Sequence, residues 1–339
     1  MSAIETTYRE ALRQALIDAM LADPEIVVMG EEVGLYGGAY GVTKGLIDQF
    51  GPDRIMDTPI SEAGIVGAAV GAAMSGLRPV AELMYVDFVG LVMDQLANQA
   101  AKIRYMFGGQ IGVPMVLRSQ GGTGRSGAAQ HSQSLEAWMT HIPGLRVAMP
   151  GTVNDAYHLL RQALTLPDPV VFLEHKGLYV QKGMLDVAVP DAPWGKALVR
   201  QPGKDVTIVA YSKMVMESLV AADMLMAQGV SAEVIDLRTL NPLDDATIAQ
   251  SVRRTHRAIV VTEAHQTAGF SAELSARIHE LCFDHLEEPV ARVAGEDIPI
   301  PVSPALERGA VPDAQLIAET GLWLVKRQAP SWADSGTDS

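Results

Sequence analysis

Short runs of buried-type apolar residues alternate with helical patterns along most of this chain, and that alternation limits the fold more than any other feature. Ile26-Val27-Val28-Met29, Arg54-Ile55-Met56, Pro79 to Met84, Val113 to Arg118, 145–149 and 170–174 read as strands. Between and before them, 6–22, 43–50, a helix opening at Glu62, 88–106, 132–141 and 152–165 carry helical signals. Strand and helix in strict succession make a doubly wound, mostly parallel sheet with helices on both faces. The rhythm breaks over 176–204, where Pro190, Pro193 and Pro202 fall among glycines. It resumes with strands at 206–210, 232–236, 258–262 and 290–293 and helices at 213–228, 244–254, 270–283 and 313–327. The expected layout is an α/β domain at 1–185, a linker at 186–204, a second α/β domain at 205–327, and a polar, disordered tail at 328–339.

At 339 residues, 48% hydrophobic and 19% charged, the chain can bury two cores. Its net charge of −14 argues against nucleic acid or an anionic membrane surface as a partner. One cysteine, Cys282, excludes a disulfide framework and a cysteine metal site. The first residues have neither a basic region nor an apolar run, and no segment resembles a membrane span, so the expected compartment is the cytoplasm.

Asp57-Thr58-Pro59-Ile60-Ser61-Glu62 leads into the Ala/Gly-rich helix. Pro59 disfavours helix at Thr58, Ser61 is placed to cap, and Glu62 stands in the first turn. An acid there is favoured by the helix dipole whatever else it does. Gly67 and Gly71 share a face that another backbone can approach. Gly122-Thr123-Gly124-Arg125-Ser126-Gly127 fits G-x-G-x-x-G after a strand, but the next strand ends Val147-Ala148-Met149 without the acid that would hold a ribose. Nicotinamide binding is therefore disfavoured. His131, between polar neighbours at a loop–helix junction, is placed to reach a cleft. Tyr85 and Phe88 follow a strand end, where rings can stack on a flat heterocycle or simply pack. Glu31 ends another strand. There is no P-loop, no zinc spacing, no G-x-S-x-G elbow, and no Gly-Asp-Gly followed at a distance by Asn.

In order along the chain, Met29-Gly30-Glu31-Glu32-Val33, Gly37-Gly38-Ala39-Tyr40, Asp57 to Glu62, Gly76-Leu77-Arg78-Pro79, Ala129-Gln130-His131-Ser132-Gln133-Ser134, Pro143-Gly144-Leu145 and Asp236-Leu237-Arg238-Thr239-Leu240-Asn241-Pro242 resemble one family. It is the beta subunit of the thiamine-dependent, decarboxylating component of 2-oxo acid dehydrogenase complexes, which includes pyruvate, branched-chain 2-oxo acid and acetoin dehydrogenases. The resemblance implies a transketolase-like fold whose first domain binds the pyrimidine of thiamine diphosphate. An alpha subunit would hold the diphosphate and its magnesium, in a tetramer of two alpha and two beta chains. It implies that Glu62 shares a proton with the aminopyrimidine amid Ile60, Ala63 and Ile65. Phe88 would lie on the ring with Tyr85 beside it, and His131 would assist substrate or lipoyl proton transfer. Glu31 would belong to an acidic cluster between paired sites. The acyl group of a small 2-oxo acid would pass to a lipoyl-bearing transacylase. The backbone carbonyls of Met115, Ala163, Leu164, Leu166 and Asp168 match a potassium site of some members. Acetoin cleavage and a non-catalytic assembly role are the alternatives; intact Glu62 and His131 argue against the latter.

Overall fold

The computed structural model describes residues 3–328, so most of the tail expected at 328–339 lies outside the described residues. The described residues form two compact units, one of 3–194 with 239–242 and one of 195–238 with 243–328.

In chain order the strands are β1 (Ile4–Thr7), β2 (Ile26–Gly30), β3 (Ile55–Asp57), β4 (Arg78–Leu83), β5 (Val116–Gly121), β6 (Arg146–Ala148), β7 (Val170–His175), β8 (Lys182–Leu185), β9 (Leu198–Gln201), β10 (Val206–Ala210), β11 (Ala232–Asp236), β12 (Thr239–Asn241), β13 (Ala258–His265) and β14 (Ala291–Gly295). The first unit holds a seven-stranded sheet ordered β12-β6-β7-β5-β4-β2-β3. All its pairings are parallel except that of β12 with β6. Every residue of β2 is buried, as a strand covered on both faces requires. From β2 the chain winds outward to β3, then crosses to β4 on the other flank. The topological switch point therefore lies between β2 and β4, where such sheets open a crevice at their carboxyl edge.

The Tyr8–Ala22 helix buries Tyr8, Ala11, Leu12, Ala15, Leu16, Ala19 and Met20 on one stripe. Thr7 starts it by accepting the Glu10 amide. It packs with the Val153–Ala163 helix over a core that includes Val28, Val80, Val116 and Phe172. In the second unit the sheet order is β14-β13-β10-β11-β9, parallel except for β9. Its core, centred on Ile208, Val234 and Ile259, is closed by the Met214–Ala227 and Ala314–Lys326 helices.

Several local expectations are corrected. The single helix expected over 88–106 is three pieces: a 3₁₀ stretch at Val86–Val92, a wide π-type stretch at Asp94–Ala100, and an α-helix at Ala101–Met106. The strand expected at Val113 to Arg118, β5, starts at Val116, because Pro114 has no N–H to give a ladder, and runs on to Gly121. The helix expected at 132–141 is only Glu136–Thr140, since Gln133 is tied elsewhere: its amide to Asp87 and its carbonyl to the Gly122 amide. Within 186–204, β9 joins the second sheet, with Arg200 bound to Asp236 at 2.9 Å. Ser61 precedes the Glu62–Met74 helix without a side-chain capping bond.

Candidate active site

Five adjacent parallel strands, in the order β3-β2-β4-β5-β7, end on one edge of the first sheet. The residues that follow them are, in the same order, Glu62, Glu31, Tyr85 with Phe88, His131 and Lys176. Topology alone thus assembles the sequence-predicted acid, rings and imidazole at the carboxyl edge, astride the switch point.

Glu31 and Glu62, both half-buried, are close enough to interact. Burial lifts the Glu31 carboxyl above its ordinary value, and the charges of Glu62, Glu32 and Glu82 push it the same way. Asp57 fixes the neighbouring backbone, accepting from the Gly34 amide at 2.5 Å and the Leu35 amide at 3.0 Å. Of the apolar residues expected around Glu62, Ile65 is buried, whereas Ala63 is exposed and Ile60 is 79% exposed. Leu35 and Tyr36 are exposed as well.

On the β4 side the rings form a box. Tyr85 stands edge-on to His131 at 4.7 Å between centroids and edge-on to Phe88 at 5.9 Å. Phe88 and His131 close the triangle at 5.6 Å. All three are half-buried, with each ring edge turned toward a neighbour's face. Tyr40 extends the box: it is edge-on to Tyr85, stacked on Tyr179 at 4.8 Å, and its hydroxyl reaches that of Tyr85 at 3.5 Å. Burial and the Tyr85 contact hold the Tyr40 phenol well above its usual range, while Arg125 of the glycine-rich loop pulls it down.

Beneath the edge lies a buried ionic network that sequence reasoning missed. Arg118 on β5 binds Glu82 of β4 at 2.8 Å and both oxygens of Glu174 on β7, at 2.7 and 2.9 Å. The Tyr179 hydroxyl donates to Glu174 at 2.6 Å. Burial raises the Glu82 pKa, and the Arg118 charge opposes it. Charged residues in the middle of two apolar strands, Glu82 and Arg118, were the available signal.

Of the five residues matched to a potassium site, four have carbonyls that accept hydrogen bonds within the chain. The carbonyls of Leu164 and Leu166 accept from Arg78 at 3.1 and 3.5 Å. The Met115 carbonyl accepts the Val170 amide, and that of Ala163 the Leu166 amide. The Asp168 carboxylate is engaged by Arg104 and Arg146. The acids and rings at the sheet edge suit thiamine diphosphate. A half-buried acid beside a second acid that resists ionising, on the same sheet edge as a cluster of aromatic rings, suits a nitrogen heterocycle that exchanges a proton. Buried Asp87 Oδ2 also has no partner there, while Oδ1 takes the Gln133 amide.

Residues 5–182 match the transketolase pyrimidine-binding domain and 195–317 the transketolase C-terminal domain. The mitochondrial pyruvate dehydrogenase E1 component subunit beta-2 of Oryza sativa subsp. japonica is 48% identical over 333 residues, covering 97% of this chain and 89% of its own. The acetoin:2,6-dichlorophenolindophenol oxidoreductase subunit beta of Cupriavidus necator is 44% identical over 326 residues, covering 93% and 96%. Among solved structures, a split gene transketolase described as an inactive beta4 tetramer has the same fold, with a TM-score of 0.78 over 94% of this chain and 99% of its own at 23% identity. A chain that aligns nearly end to end with these beta subunits, and carries both transketolase domains, belongs to the family of pyruvate dehydrogenase E1 beta subunits and their acetoin dehydrogenase relatives.

Proposed function

We propose that this chain is the pyrimidine-binding half of a thiamine diphosphate-dependent 2-oxo acid dehydrogenase, active with an alpha subunit that holds the diphosphate and magnesium. The observation that carries this reading is the convergence of Glu62, Glu31, Phe88 and His131 on one edge of the switch-point sheet. When bound, thiamine diphosphate supplies the electron sink for breaking the bond beside a carbonyl. Glu62 holds a proton against the pyrimidine nitrogen, with the second acid, Glu31, beside it. Phe88 offers its ring to the heterocycle, and Tyr85 sets the Phe88 and His131 orientations through edge contacts. His131 moves protons at the substrate or at the lipoyl group of a transacylase.

The exposed apolar side chains Leu35, Tyr36 and Ile60 support a covering partner at this edge, since Glu62 needs shielding from water to hold its proton tightly. The face of the Glu62–Met74 helix bearing Gly71, where an added Cβ would meet nothing within 4 Å, suits the same close approach. Two alpha and two beta chains form the assembly we infer. Cys282, buried and alone, suits a reducing cytoplasm.

Acetoin cleavage is the second reading, favoured by the relative of that name at 44% identity. The reconstituted alpha–beta pair, assayed with a dye acceptor against a panel of 2-oxo acids and acetoin, separates the two. Turnover of 2-oxo acids that requires both chains and thiamine diphosphate supports the first reading. Turnover by this chain alone, or no dependence on the cofactor, sinks it.

A further inference from the structure

We propose that Lys176 is a positioning residue for His131, gripping the backbone that carries the imidazole and the ring against which the imidazole rests. The inference depends on the reading that His131 serves the reaction.

Lys176 leaves β7 into a short 3₁₀ turn and is 1% exposed. An ammonium so far from water must find partners for its donors. Its Nζ donates to the backbone carbonyl of His131 and reaches the Ser132 hydroxyl at 3.5 Å. The same Nζ lies 5.5 Å from the centroid of the Tyr85 ring. Tyr85 is the ring whose contact with His131 is tightest, at 4.7 Å. One side chain therefore holds both the backbone that carries the imidazole and one of the two rings that flank it.

The segment it holds is irregular. Between Gly121 and Glu136 no helix or strand forms, and Ser126 and Ala128 adopt left-handed backbone conformations, at φ 53° and 58°, that side chains disfavour. Strained backbone of this kind persists only where surroundings impose it. Asp87, from the element bearing Phe88, pins the segment at Gln133. Lys176 pins it two residues earlier, from β7, the strand beside the one that leads into the loop. Both anchors come from positions flanking the aromatic box. The side chain of His131 is thereby registered against Tyr85 and Phe88 by contacts made to its main chain.

The test uses the alpha–beta complex with Lys176→Met, which keeps the apolar stem and removes the donors. The turnover number should fall about tenfold or more, with the substrate KM and thiamine diphosphate Kd within about twofold. In a His131→Ala background the same change should cost less than about twofold, because the group being positioned is gone. An unchanged turnover number overturns the proposal, as does an equal loss in both backgrounds. Arg125 is exposed within the loop and gives a readout independent of catalysis. Tryptic cleavage after Arg125 should quicken by about tenfold in the variant, and an unchanged rate overturns the pinning role even if activity falls. Should His131→Ala alone keep wild-type turnover, the role of His131 falls, whereas the cleavage rate still decides whether Lys176 holds the loop. If Lys176→Met does not fold, Lys176→Gln takes its place under the same criteria.

Discussion

Arg118 presents its guanidinium fork to Glu174, with Nε 2.7 Å from one carboxylate oxygen and a terminal nitrogen 2.9 Å from the other. The pair spans β5 and β7 with both side chains almost wholly removed from water, and Glu82 takes the remaining edge of the fork. Removing the cation would leave two buried carboxylates facing each other. Arg118→Met should therefore destabilise the chain by about 3–5 kcal/mol, read from urea unfolding. A loss under about 1 kcal/mol would mean the acids simply take up protons and the network contributes little.

Glu62 is expected to dominate the chemistry. In the reconstituted complex, Glu62→Ala should lower the turnover number on the order of a hundredfold or more. A deficit smaller than about tenfold refutes its role as proton partner. Assembly with the alpha subunit, checked by gel filtration, should survive the change.

Phe88 should act on affinity more than on rate. Phe88→Ala removes a ring face and one side of the box, so thiamine diphosphate should bind about tenfold more weakly by calorimetry. Unchanged affinity would assign Phe88 to packing alone.

The raised pKa of Glu31 makes a pH prediction of definite sign. Below about pH 4.5 the carboxyl is protonated whether the chain is folded or not, and Glu31→Gln should match wild type. As pH rises through the higher folded-state pKa, the ionised acid costs the native state burial and repulsion by Glu62. Stability is lost by wild type over that window and not by the variant. Thermal unfolding of both proteins from pH 4 to 8 should show Glu31→Gln gaining progressively on wild type. Parallel curves would show that Glu31 is no more burdened than a surface acid.

Gly144 is a position no other residue can take. Its φ is +103°, and an added Cβ would collide with the backbone of Ala101 at the head of the Ala101–Met106 helix. Gly144→Ala should cost about 2 kcal/mol or more in chemical denaturation.

Much of this arrangement could be read from residue order, for a physical reason. Strands buried on both faces are mostly apolar runs, so β2, β10 and the first four residues of β7 stand out against the helices that cover them. The Glu62 motif, the paired rings and His131 each follow such a strand, and parallel winding then carries all of them to one edge. What escaped depends on partners distant in sequence. β1 and β8 are short and half-exposed, with a pattern that means nothing until Ile4 meets Leu185. The Val86–Met106 stretch has helical spacing, but the wide turn at 94–100 is set by packing that periodicity does not encode. Lys176 looks like any lysine until β5 and β7 lie side by side. Ile60 shows the converse: apolar and beside the acid, it points to shielding of Glu62, yet within this chain it faces outward.

The pairing of Thr239–Asn241 with β6 has a practical corollary. Because the polypeptide comes back to complete the first sheet after all of β9–β11 has been laid down, no single cut yields two whole halves. A fragment stopped at residue 194 would lack its outermost strand and bare the unsatisfied amides and carbonyls of Arg146–Ala148, an invitation to self-association. Anyone dissecting this subunit should graft residues 239–242 back on, or keep the polypeptide in one piece.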